Sequence, residues 1–386
     1  MSNIIDYMEW RGDVPLSACD FNEIDNIILS SITFVDLGGI VDADVGGEPI
    51  SFDGAMRAFE RVSDQRAYLG VLQPSYLLNI ARTAVKCPRY RDARLIGFVN
   101  EVDEEKHMQF GALTFLLDDG SIFVAFRGTD DTLVGWKEDM MMGFHYPVPA
   151  QTRAAEYLEQ VAATYRGVIR LGGHSKGGNI AMWAAAFCSP DTQNRIRIAY
   201  NNDGPGFLPE VIETEQFKGM ADRIVTFVPQ SSVVGMMLEQ SPICHIIQSI
   251  QIGILQHDPM SWEVKGTHFI YLEKRSKSRA QADEKTKKWL YAMEPKQRQK
   301  VIETLFSVIE STGAKTLTDL SDAKLKNFSV IMKSLRSLDK ETRTMMGQAM
   351  ITLLGARPPS SKTAEAAPNE PETLPAPSEE EEPRVD

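Results

Sequence analysis

One stretch constrains this chain more than any other. A short apolar strand, Val168–Leu171, runs into Gly172-Gly-His-Ser-Lys-Gly-Gly-Asn179 and then into the alanine-rich segment Ile180–Phe187. The span Gly173–Gly177 reads G-x-S-x-G. A serine on a sharp strand-to-helix turn sits in a strained backbone conformation, and the residues two before and two after it must lack a Cβ for strand and helix to approach. Gly173 and Gly177 occupy those two places. A helix N-terminus beneath Ser175 favours negative charge developing there. An incidental serine in a glycine-rich turn is the competing reading, but it does not account for matching flanks on both sides. The phosphate-loop pattern G-x-x-x-x-G-K-[ST] is absent. Ser175 is the candidate nucleophile.

The surrounding sequence predicts an α/β fold with a mostly parallel central sheet. Ala112–Leu117 and Ser121–Phe126 flank Asp118-Asp-Gly120 as a hairpin. Thr152–Arg166 has helical apolar spacing, Gly167–Leu171 reads as a strand and Asn179–Phe187 as a helix, and Arg195–Asn201 and Arg223–Val228 read as short buried strands. Asn22–Leu37 and Ser75–Val85 are predicted helices. Past Phe269 the chain turns lysine-rich and helical, so an α/β domain over 1–272 is expected to be followed by an all-helical domain over 273–356. Residues 357–386, rich in Pro and Glu, cannot bury enough apolar surface to fold and are expected to be disordered.

Charge follows the same division. The net of −12 resolves into −14 over 1–272, +7 over 273–356 and −5 over 357–386. So acidic a first part excludes a phosphate-tracking nucleic-acid surface. The basic helices are expected to dock partly on the acidic domain, or to face an anionic partner or a membrane surface. No apolar run reaches the length of a spanning helix, and the N-terminus lacks a basic region followed by an apolar one. Cys19, Cys87, Cys188 and Cys244 are scattered and read as reduced thiols of a cytoplasmic protein. With no metal-ligand cluster and no dinucleotide fingerprint, no cofactor is expected.

An elbow serine needs two backbone donors for an oxyanion. One is the N–H of Lys176; the other should come from a loop after an earlier strand. Ile122–Phe126 runs into Arg127-Gly-Thr-Asp130, where Gly128 permits close approach and Thr129 offers both its N–H and its hydroxyl. An ordinary turn, with Asp130 capping the helix that carries Trp136 and Asp139, is the alternative.

Together, Phe126-Arg-Gly-Thr129, Trp136, Asp139 and Gly173-His-Ser-Lys-Gly-Gly-Asn179 resemble the class 3 lipases of the α/β-hydrolase superfamily. A fuller set is closer to a bacterial family of α/β hydrolases, the Mbeg1-like proteins. It adds Gln109-Phe110, Gly135-Trp-Lys-Glu-Asp139, Asn202-Asp-Gly-Pro-Gly-Phe207, Val228-Pro-Gln-Ser-Ser232 and Gln256-His-Asp-Pro259, and spans roughly residues 5–350. The resemblance implies a serine hydrolase related to lipases, with no firm substrate.

The order in that superfamily is serine, acid, histidine. His174 is expected to point away from the site, and His107 and His145 precede the nucleophile. His257 stands in the polar loop Gln256-His-Asp-Pro259 after the apolar run Ile250–Leu255, read as a strand end from which an imidazole can swing over Ser175. His245 lies within an apolar run and reads as a core histidine; His268 lies in a strand-like run. Class 3 lipases place the acid in an Asp-x-Val-Pro loop, but the matching segment, Gln230-Ser-Ser-Val233, has no carboxylate. Asp203 follows the strand Arg195–Asn201 at the carboxyl end, where active sites of such sheets lie. It is the candidate acid. A turn-capping role, or a Ser–His dyad helped by Ser232, remains open.

Met140-Met-Met142 and Met236-Met237 are either core or the lining of an adaptable acyl pocket. The expected activity is cleavage of a carboxylic ester or thioester, on a small acyl ester or lipid, through an acyl-enzyme on Ser175. The alternative is an inactive hydrolase-fold protein acting as a partner-binding or membrane-surface module.

Overall fold

Strands rich in β-branched and aromatic residues assemble into a large sheet and a small one in the computed structural model, which describes residues 2–61, 76–273, 287, 291–322, 330–331 and 333–334. The strands are β1 (Ile50–Ser51), β2 (Arg94–Asp103), β3 (Met108–Leu116), β4 (Ile122–Phe126), β5 (Ile169–His174), β6 (Ile196–Asn202), β7 (Ile224–Pro229), β8 (Ile243–Ile247), β9 (Val264–Lys265), β10 (His268–Phe269) and β11 (Tyr271–Leu272). Nine of them form a sheet of order β1-β2-β3-β4-β5-β6-β7-β8-β11, while β9 and β10 pair separately. β1 to β4 are mutually antiparallel, β4 to β8 parallel, and β11 returns antiparallel at the far edge. The sheet is mixed, and its parallel core, β4 to β8, is the α/β arrangement that the sequence alternation implies.

Residue alternation sorts the two cores. Phe123 and Ala125 of β4 face one hydrophobic cluster; Ile122, Val124 and Phe126 face the other. The first cluster is closed by α1 (Ile4–Arg11) and α2 (Glu23–Ile32), the latter N-capped by the Asn22 side chain, which accepts from Ile24 and Asp25 N–H. α3 (Leu133–Met141) follows the loop after β4, and α4 (Pro149–Thr164) and α5 (Lys176–Phe187) close the second cluster. α5 begins at Lys176, three residues before its predicted start.

Register levels the functional ends. Phe126 pairs with Gly173, Gly173 with Asn201 and His174 with Asn202, so β4, β5 and β6 finish side by side. The loops holding Thr129, Ser175 and Asp203 therefore leave the sheet together, at the carboxyl ends where open α/β sheets bind ligands.

Of the predicted helical domain, the structure describes α6 (Pro295–Glu310) and α7 (Leu317–Asp322); most of 323–356 and the tail 357–386 lie outside the described residues. Both helices contact the sheet domain. Arg298 Nη1 donates to Gly143 O at 2.7 Å, and Lys137 pairs with Glu310 at 3.2 Å. Lys315 pairs with Glu104, and Lys287 with Glu239. Thr316 also forms a β-bridge to Thr132, with Leu133 N–H donating to Lys315 O at 2.9 Å and Leu317 N–H to Asp131 O at 3.0 Å. Among the described residues, no helix is long and apolar enough to cross a membrane.

Candidate active site

Ser175 sits between β5 and α5 with φ 60° and ψ −133°, a conformation L-residues hold at a cost of about 1–3 kcal/mol. The flanking glycines are needed sterically. A Cβ on Gly173 would stand 2.2 Å from Gly177 C, and one on Gly177 2.2 Å from Phe126 O. Ser175 N–H donates to Asn202 O at 3.0 Å, tying the elbow to the end of β6.

The next residue of that strand end is Asp203, itself at φ 53°. Its side chain is fully buried, and Oδ2 lies 2.7 Å from Nδ1 of His257, whose side chain is 21% exposed. Four asparagines set this strand end. Asn26 of α2 exchanges side-chain hydrogen bonds with Asn202 at 2.8 and 3.1 Å. Asn201 Oδ1 accepts from Gly204 N–H at 2.8 Å, and Asn179 Nδ2 donates to Pro205 O and Gly206 O. Gly235 lies so near that an added Cβ would be 2.1 Å from Asp203 Oδ1. Ser232 Oγ accepts from Gly235 N–H at 3.1 Å. His245 in β8 stacks on Tyr271 at 4.5 Å, half-buried, and His268 in β10 stands 3.4 Å from Glu23.

The loop carrying His257 differs from expectation in two respects. Ile250–Leu255 is no strand end: the strand is Ile243–Ile247, and Ile250, Ile252, Ile254 and Leu255 are all exposed. An apolar run signals burial only when a partner face exists, and the sheet edge is already taken by β11. Second, His174 does not point away from the site. Its Nε2 is 2.7 Å from His257 O, and the two imidazoles lie 4.4 Å apart. Burial, and then the neighbouring His257, push the His174 pKa well below the ordinary imidazole range. Trp262 Nε1 donates to Gln256 O at 2.8 Å, and buried Gln256 spans the loop from Ser231 N–H to Gln251 O. Asn26, Gly235, Gln256 and Trp262 carry no local signal for these contacts; each acts across the fold.

The loop after β4 closes the other side. A Cβ on Gly128 would stand 2.6 Å from His174 O and 3.1 Å from Ser175 Cβ, so Gly128 lets the loop press on the elbow. The Thr129 hydroxyl does not face a substrate oxygen as expected: it hydrogen-bonds Asp139. Thr132, rather than Asp130, caps α3, and Asp130 accepts from Thr132 N–H at 2.9 Å. Lys176 opens α5, where a backbone N–H has no intrahelical acceptor. Its buried ammonium donates to Gln109 O at 2.8 Å and to Glu138 at 3.1 Å. Burial raises the Asp139 carboxyl to about 6, against the pull of Lys176 and the Thr129 hydrogen bond. Met142 is buried in the second core with Met141 packed against it, so this end of the Met140–Met142 run is structural. Among the described residues no cluster of His, Cys, Asp and Glu could hold a metal ion.

Sheet, elbow and leveled loops define an α/β-hydrolase fold. The profile of the Mbeg1-like family matches residues 84–307, more than half of the chain, and the chain belongs to that family. The match runs into α6, past the expected boundary at Leu272. The crystal structure of M37 lipase is similar at 11% identity with a TM-score of 0.34, over 54% of this chain and 68% of that one. That likeness is too loose to carry a residue across. No curated protein matches the chain.

Proposed function

We propose that this protein is a lipase-like serine hydrolase that cleaves a carboxylic ester or thioester through an acyl-enzyme on Ser175. The observation that carries this reading is the 2.7 Å contact between buried Asp203 and His257, on loops that meet the strained serine elbow. In the reaction, Ser175 Oγ attacks the acyl carbon while His257 Nε2 takes its proton. Asp203, accepting the Nδ1–H, fixes the tautomer and stabilises the imidazolium. The oxyanion is held by the N–H groups of Lys176 and Thr129, with the Thr129 hydroxyl fastening its loop to Asp139. His257 then gives its proton to the leaving alcohol or thiol. A water, deprotonated by the same imidazole, releases the acid.

An apolar acyl group is favoured by the exposed Ile250, Ile252, Ile254 and Leu255, which precede His257 in the same loop. No Asp, Glu, Lys or Arg occurs from Ser241 to His257, so an acyl chain passing there desolvates no charge.

A fluorophosphonate probe should label the protein, and Ser175→Ala should abolish labelling. Asp203→Asn should lower kcat on a short p-nitrophenyl ester by about 10⁴-fold, the cost of a wrong imidazole tautomer. Absence of both labelling and hydrolysis in the wild type rejects the reading in favour of a non-catalytic partner-binding protein.

A further inference from the structure

The Asp203 contact fixes one nitrogen of the His257 ring, but a ring can still be misplaced by its own backbone. Here that backbone belongs to an irregular loop with no strand to hold it. His257 is the last residue of a short 3-10 turn, Gly253–His257, in which Ile254 and Leu255 face solvent and Gln256 is buried. What meets its carbonyl comes from the elbow: His174, the residue before the serine, with Nε2 at 2.7 Å.

The chemistry of that contact is directional. A carbonyl oxygen only accepts, so Nε2 of His174 must carry the proton and donate. The neutral ring then has a bare Nδ1. The same imidazole lies 4.4 Å from that of His257, tilted by 36°, and Trp262 is 5.9 Å away on the other contact. His174 is 9% exposed and Trp262 fully buried, so the stack is anchored in the core and not in solvent.

We propose that His174 is a positioning residue for His257: its Nε2–H holds the His257 carbonyl and its ring backs the His257 imidazole. The proposal rests on reading His257 as the base of Ser175. It gives the elbow a second function, because the residue before the nucleophile fixes where the base stands. Serine and base are thereby set by adjacent residues of one rigid turn. A neutral partner is also what the chemistry needs. His257 becomes an imidazolium when it takes the serine proton, and a second cation stacked on it would oppose that step.

Two measurements on the full chain test this. With p-nitrophenyl butyrate, His174→Ala should lower kcat by about 10²-fold, as misplacement of a catalytic group by about 1 Å does, with KM little changed. His174→Gln, which keeps a donor near the Nε2 position without a titrating ring, should restore most of the loss. Wild-type kcat in the Ala variant, or a folded Gln variant no better than Ala, overturns the proposal. The second measurement needs no activity. Proton–nitrogen correlation spectra of the histidine-labelled wild type should show His174, assigned by its loss in His174→Gln, neutral with the proton on Nε2 at about pH 6. An imidazolium, or a proton on Nδ1, overturns the proposal even if the hydrolase reading stands. Correct tautomer without hydrolysis counts against the hydrolase reading alone.

Discussion

Asp203 combines a left-handed backbone, a fully buried carboxylate and a neighbour, Gly235, with no room for a methyl group. The carboxylate cannot retreat without leaving His257. Gly235→Ala should therefore fold but lose about 10²-fold in kcat through displacement of the Asp203–His257 pair. Steady-state kinetics beside a melting curve would check this; a variant with normal turnover would show that Asp203 tolerates displacement. Asp139 gives a prediction in pH. Burial raises its carboxyl from an ordinary 3.8 to about 6, and Asp258 is raised to about 6 for the same reason. A carboxyl raised on folding stabilises the protein fully below its unfolded value, and that contribution is lost as pH climbs through the folded one. The melting temperature should fall between about pH 4 and about pH 6.5 from this source. Asp139→Asn should flatten the slope; an unchanged slope would place the titration elsewhere. The elbow turn at Ser175 and the place of Asp203 at the end of a strand were legible in sequence because elbow glycines and strand ends obey local rules, whereas the loop of His257 was read from an apolar run that is no strand. The role of the Thr129 hydroxyl was misread, since its partner Asp139 sits on the next helix, and so was the direction of His174.

At the scale of elements, the strand ends matter most. β4, β5 and β6 finish level because of their pairing register, and the site loops inherit that alignment. The segment after β8 behaves differently. Ile250–Leu255 has the composition of a strand, yet β11 occupies the edge it would need, and its side chains remain in solvent. Gln256 and Gln230 brace it by backbone hydrogen bonds, the latter to Ser249 at 2.8 Å in both directions. Ile252→Asp with Leu255→Asp should raise KM for a long-chain p-nitrophenyl ester by about tenfold, the worth of one or two buried methylenes. Turnover of p-nitrophenyl acetate should be unaffected. Equal effects on both esters would mean that the loop serves only to carry His257. Helix and strand periodicities showed that these elements exist, and the hairpin around Asp118-Asp-Gly120 was readable within a few residues. Edge occupancy was not, because it depends on which distant segment pairs with β8.

At the scale of the molecule, segments distant in sequence from the candidate site reach its loops. Near the N-terminus, Asn26 of α2 clasps Asn202 beside Asp203. From the C-terminal side, residues 315–317 bridge the loop just after Thr129. The second contact can be probed cleanly. Leu317 is the first residue of α7, where proline is well tolerated, so Leu317→Pro removes little beyond the N–H bond to Asp131 O. If the C-terminal helices steady the oxyanion loop, this variant should lower kcat severalfold without a matching loss of melting temperature. Unchanged kcat would make the docking a matter of stability only. The contrast in charge between the acidic first part and the basic helices found an outlet in pairs such as Lys315–Glu104 and Lys287–Glu239. The sequence by itself determined the elbow, the α/β alternation and the place of Asp203 at a strand end, since each depends on sterics and periodicity within a few residues. Only the tertiary structure decided that His174 faces His257, that Asn26 clasps Asn202 beside Asp203, and that residues 315–317 meet the loop after β4. Those contacts join residues far apart in the chain, and no local preference encodes which distant surfaces meet.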